Sequence, residues 1–174
     1  MDYAVWTAWA ANIILFITAG VTLALYFRTR GVSVLRSSFE HIAIQTRDAD
    51  LIEMFEQLRR VRYSATAEGV ELTYQNMQRD FKYDGTHINA DNTIKKTFNY
   101  YEATCIGIKR GALEERMIRD WWGDALVSDW IDFQHYVHEA RIALDYDELY
   151  IEVERYVHRW IKPERRSKLL PPKA

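Results

Sequence analysis

One cysteine in 174 residues, Cys105, leaves the chain unable to form a disulfide within itself and removes thiolate metal sites from consideration. This agrees with a reducing compartment. No Gly-rich phosphate loop occurs, and no serine has a histidine placed as a hydrolase pattern requires. A di-iron site in a helix bundle needs Glu-x-x-His on two helices, and the chain has none. His135 and His138 are therefore read as boundary residues of a bundle, and these two with Glu139, Glu154 and His158 as holding no metal. A strong excess of one charge is missing too: 23 Lys and Arg stand against 25 Asp and Glu, a net charge of −2, so no global field draws in nucleic acid. These absences leave no catalytic residue, no cofactor and no small-molecule substrate to name.

The most consequential absence is local. From Tyr3 to Phe27 no side chain is ionised at neutral pH. As a helix at ~1.5 Å per residue, this run of 25 residues is roughly 37 Å long, enough to cross a hydrocarbon core of about 30 Å. Tyr3, Trp6 and Trp9 at one end and Tyr26 and Phe27 at the other suit the two headgroup levels. Before the run stand only Asp2 and the α-amino group, which is no basic n-region for a cleavable signal peptide. Arg28 and Arg30 follow it at once, so the positive-inside rule predicts an uncleaved single-pass anchor in a bacterial inner membrane, N-terminus out and C-terminus cytoplasmic. The bilayer is then one partner. Thr7, Ala8, Ala11, Asn12, Thr18, Ala19 and Thr22 form a small, hydroxyl-bearing stripe on the predicted helix, suited to close approach by another helix. Its occupant is either a second membrane protein or another copy of this chain.

Beyond the run the pattern is helical throughout. Gly31 is read as a break, followed by a helix over Val34 to Ile44 and another over Ala49 to Val61 with Asp48 as N-cap. Residues 66–79 carry a weaker helical signal through Val70, Tyr74 and Met77, Asp84-Gly85 reads as a turn, and nothing nearby alternates long enough for a strand pair. Ile94, Phe98, Tyr101, Cys105 and Ile108 repeat at spacings of 4, 3, 4 and 3, with Asp91 as cap and Gly111 as stop. A short helix from Glu114 is read as ending at Gly123. Leu126, Trp130, Phe133, Val137, Ala140 and Leu144 continue the rhythm, and a last helix from Asp147 turns Leu149, Val153, Tyr156 and Trp160 inward before Pro163. The predicted class is all-α: a transmembrane anchor at 1–31, a cytoplasmic helical domain at 32–161 with Phe98, Tyr101, Trp130, Phe133 and Trp160 in its core, and a tail at 162–174. That tail holds Lys162, Arg165, Arg166, Lys168 and Lys173 against Glu164, and three prolines, which predicts disorder.

Between the two clearest helices stand Asn99-Tyr100-Tyr101-Glu102, Gly107-Ile108-Lys109-Arg110-Gly111, an acidic helix start, Gly123 and Trp130. This order resembles the bacterial domain-of-unknown-function family 4760 over about residues 99–130. The resemblance implies a membrane helix followed by a helical cytoplasmic part, and no reaction. Within the stretch, Glu102 lies at the border of the apolar face, where a partly buried carboxylate needs a cation or donors. Lys109, Arg110 or an arginine from 59–62 is the expected partner, with Glu102 and Arg110 the candidate structural ion pair locking two helices. The function that follows is a non-enzymatic, membrane-tethered helical interaction protein, an accessory or regulatory subunit. The alternative is an inner-membrane enzyme or toxic effector acting through Glu102 and nearby basic residues.

Overall fold

A computed structural model describes the backbone from Tyr3 to Leu170 and the side chains from Leu15 onward. Five α-helices carry the fold: α1 (Tyr3–Arg47), α2 (Ala49–Ala67), α3 (Ala90–Lys109), α4 (Glu115–Ala143) and α5 (Ile151–Trp160). A hairpin of β1 (Asp80–Tyr83) and β2 (Thr86–Asn89) joins α2 to α3, and a 3-10 turn (Pro163–Lys168) follows α5.

The hairpin corrects the all-α expectation. Its antiparallel register sets Phe81 opposite Ile88, and these are its two fully buried side chains. Four-residue strands that bury one side chain each offer too little alternation to stand out from a sequence. The Asp84-Gly85 turn is the hairpin turn, and both residues take positive φ, 47° and 78°. Of residues 66–79, expected as a weak helix, the first two end α2 and 68–79 are turns and irregular chain, although Met77 is fully buried.

The membrane span is corrected as well. Among the described residues no helix is long and apolar enough to cross a membrane. α1 does not end at Phe27 but runs on as one helix through Arg28 and Arg30 to Arg47. The single-pass topology and the inner-membrane location drawn from that span fall with it. Tyr3, Trp6, Trp9, Thr7, Ala8, Ala11 and Asn12 have side chains outside the described residues, while Thr18, Ala19 and Thr22 are exposed.

Two glycines read as stops lie inside helices. Gly31 sits within α1 with nothing within 4 Å of a Cβ built there, and one glycine costs a long helix only about 1 kcal/mol. Gly123 lies within α4, covered closely by a side chain of its own helix and in contact range of α5. A Cβ there would stand 3.0 Å from Arg119 Cγ and 3.4 Å from the Trp160 ring. Gly111 does end α3: with φ 68° it lets Ala112 N–H reach Gly107 O at 2.9 Å and Gly111 N–H reach Ile108 O at 2.9 Å, the Schellman closure. Leu113 then folds onto Gly107, its Cδ1 only 2.9 Å from where a Cβ would be. The Gly-Ile-Lys-Arg-Gly sequence is thus a helix-ending device.

α3 is the centre of the body, packed between α2 and α5, with α4 closing the core. Phe98, Tyr101, Trp130 and Phe133 are buried, and the Phe98 ring meets those of Tyr101, Trp130, Phe133 and Tyr150 at 5.4–6.2 Å. Trp160 is half-buried, and its indole N–H donates to Glu115 Oε1 at 3.0 Å. Leu144, assigned inward, is exposed because it already forms the C-cap of α4. The tail is ordered through Leu170: Gln134 donates to Lys168 O at 2.8 Å and accepts from Leu170 N–H at 2.8 Å. Residues 171–174 lie outside the description.

Candidate functional site

Three consecutive residues of α3, Tyr100, Tyr101 and Glu102, each reach a different neighbour. Successive residues on a helix are 100° apart, so this triplet points along three directions from the central rod.

Tyr100 faces α1. Its hydroxyl accepts from Gln45 Nε2 at 2.9 Å, and its ring stacks on His41 with centroids 5.5 Å apart and planes 7° from parallel. Trp122 and Phe55 meet the Tyr100 ring edge-on. The Thr104 hydroxyl donates to Tyr100 O at 3.0 Å, which leaves its oxygen to accept from His41 Nε2, 3.1 Å away. Burial lowers the His41 pKa below its ordinary 6.5 and raises that of Tyr100. One helical turn earlier, Ser38 is fully buried and accepts from Glu114 N–H at 2.7 Å, tying α1 to the start of α4.

Tyr101 faces α4 and α2. Its hydroxyl donates to Asp129 Oδ2 at 2.6 Å, and Arg62 spans two carboxylates, Nη2 to Asp129 Oδ1 at 2.6 Å and Nη1 to Asp132 Oδ2 at 2.7 Å. Burial pushes the Asp129 pKa up against the pull of Tyr101 and Arg62, and pushes the Tyr101 phenol well above its usual range. The carboxylate thus ties three helices together at one point.

Glu102 faces α5. Its Oε2 accepts from Val153 N–H at 2.9 Å and its Oε1 from Glu152 N–H at 3.2 Å. Those amides belong to the first turn of α5, whose own N-cap, Tyr150, sits at φ 57° and makes no side-chain cap bond. A carboxylate from α3 therefore does for α5 what a capping aspartate does for its own helix, with the dipole in favour. Burial raises the Glu102 pKa and outweighs the two amide bonds, which lower it. Arg110, the expected partner, is exposed at the C-cap of α3. Eight residues along one helix separate it from Glu102 by ~12 Å, beyond reach of an ion pair, so that assignment is corrected. Lys109 instead pairs with Glu152, which Arg155 also meets.

α5 is held from α4 as well. Arg141, almost fully buried, donates through Nε to Leu149 O at 2.9 Å and pairs through Nη1 with buried Glu154 Oε2 at 2.9 Å. His138 Nε2 stands 4.0 Å from Glu154 Oε1, and Glu139 accepts from Tyr74 N–H at 2.9 Å. Among the described residues no group of three or more His, Cys, Asp or Glu could hold a metal ion. Cys105 is buried, and burial pushes its thiol far above the ordinary range. Asp129 and Arg141 were missed in the sequence; the one signal for Asp129 is its place beside Trp130 on the apolar stripe of α4.

Chemically, this arrangement orients helices. Both Glu102 oxygens are occupied by backbone amides, and Asp129 is enclosed by a phenol and a guanidinium. From Leu15 to Ser33, by contrast, α1 leaves the body and every described side chain is exposed.

Over residues 13–160 the chain matches the family model described as Domain of unknown function (DUF4760). No curated protein matches it, and no solved structure does.

Proposed function

Because the chain belongs to the DUF4760 family, whose description assigns no reaction, we propose from its own geometry that it is a non-enzymatic interaction protein, with α1 as the element it presents to a partner. One observation carries this reading: between Leu15 and Ser33, α1 bears nine large apolar side chains, each more than half exposed, on a rod where every described side chain is exposed. Contiguous apolar surface on that scale is costly in water and marks a place of association. The body supports the same reading, since its buried polar groups clamp α1, α4 and α5 onto α3 and so hold the base of the rod. Glu102, the best candidate for a general base, is engaged as a helix cap.

The test compares the full chain with a Leu23→Asp/Leu25→Asp variant, expressed in one host and recovered by the same tag. The wild type is expected in an assembly larger than the variant's, with equal helix content by circular dichroism. Equal size and equal composition of the two would overturn the reading.

A further inference from the structure

The exposed side of α1 carries a second pattern. Val21, Leu25, Arg28, Val32, Leu35 and Phe39 recur at spacings of 4, 3, 4, 3 and 4, the seam of a two-stranded coiled coil. The five apolar members are 46–64% exposed. The body takes a different face of the helix, through Val34, Ser38, His41 and Gln45, so the seam runs past it unobstructed to Phe39. Gly31 does not interrupt it, because α1 remains helical there.

Resting on the reading of α1 as the associating element, we propose that its occupant is a second copy of this chain, paired in parallel and in register along this seam. A 3.5-residue repeat fits another helix with the same repeat better than it fits a flat apolar surface. The two-fold arrangement lays Val21, Leu25, Val32, Leu35 and Phe39 against themselves, which uses the residues beside the body as well as those beyond it. A stable interface needs about 20–30 residues a side and on the order of 1,200–2,000 Å² in total. Of the 25 residues from Leu15 to Phe39, about four in seven lie at or beside such a seam, among them exposed Ile17, Thr22 and Thr29, so the pairing is at the small end of that scale and a concentration-dependent dimer is expected. Arg28 is the seam's single charge. Facing its own copy, it sets register at a cost in affinity, as a lone polar residue does at a coiled-coil core position.

The charge makes the proposal testable with purified full chain. Sedimentation should give a concentration-dependent dimer, and Leu25→Asp should weaken it at least tenfold. When wild type is mixed with Arg28→Glu chain carrying a second tag, the mixed pair should exceed the statistical half of all dimers, since Arg then faces Glu. At dilutions where wild type and both variants are monomeric, circular dichroism and thermal midpoints should not differ, because both positions lie on the exposed rod. A monomeric wild type, a statistical mixture, or association indifferent to position 25 would overturn the proposal. If pure wild type is monomeric but co-expressed assemblies still depend on Leu23 and Leu25, the homotypic pairing fails and the broader reading stands. Loss of both effects removes the two together.

Discussion

Glu102 and His41 illustrate how one side chain can hold an element that its own sequence neighbourhood says nothing about. Glu102→Ala would leave the first amides of α5 without acceptors and should destabilise the protein by ~1–3 kcal/mol, the range for a stranded buried donor. Hydrogen exchange at Glu152 and Val153 should accelerate selectively; uniform acceleration would place the effect elsewhere. His41 acts through its neutral form. Its neighbours across the contact are Tyr100, Thr104 and Trp122, and burial lowers its pKa below 6.5. The unfolded chain therefore takes up the proton first as pH falls, so this contribution is present above pH 6.5 and lost below it, down through the folded pKa. Melting curves from pH 7.5 to 5 should show that loss in wild type and a flatter profile in His41→Asn. The lowered carboxyl pKa values of Asp91 and Glu152 act at more acidic pH, below the ordinary 3.8 and 4.5 of those groups.

At the scale of elements, equivalent glycines have opposite consequences. Gly111 holds the left-handed position that closes α3, and Gly111→Ala should cost ~1–2 kcal/mol in chemical denaturation. Gly31 is helical with open space around it, so Gly31→Ala should strengthen α1 by about 1 kcal/mol of helix propensity, visible as slower amide exchange around residue 31. The other helix ends follow the same chemistry. Asp48 caps α2 by accepting from Asp50 and Leu51 N–H, and Glu114 caps α4 through Arg116 and Met117 N–H. α3 is capped by Asn89, and Asp91, the expected cap, instead receives bonds from Lys95, Gln78 and Tyr136.

For the whole molecule, the body is one core built on α3, from which the first part of α1 projects. Trp130 lies at the middle of that core, 1% exposed, and Trp130→Ala should destabilise the body by ~3–5 kcal/mol in a single cooperative transition. A midpoint equal to wild type would refute the central place given to this residue. Exchange in the exposed first part of α1 should be little affected, because that segment makes no contact with the core.

What a reader could recover from the residues alone follows how local each signal is. The repeats at Ile94 to Ile108 and Leu126 to Ala140 are helix periodicity, written within one turn of each position, and Asp48 and Gly111 act through neighbours a few residues away. The strands escaped because each buries a single side chain, Phe81 or Ile88, which is too little for a period. Gly123 looked like a stop, yet it lies inside α4, where the Trp160 ring from 37 residues further on comes within contact range. The partners of Tyr100, Tyr101 and Glu102 lie 55, 28 and 51 residues away in Gln45, Asp129 and Val153. Composition could mark Glu102 as a carboxylate in need of donors, but only packing chose backbone amides over Arg110. Sequence periodicity therefore determined the principal helices of the body and much of its buried stripe. Tertiary structure decided which helices continue through their glycines and which polar groups meet, because both depend on atoms brought together from distant parts of the chain.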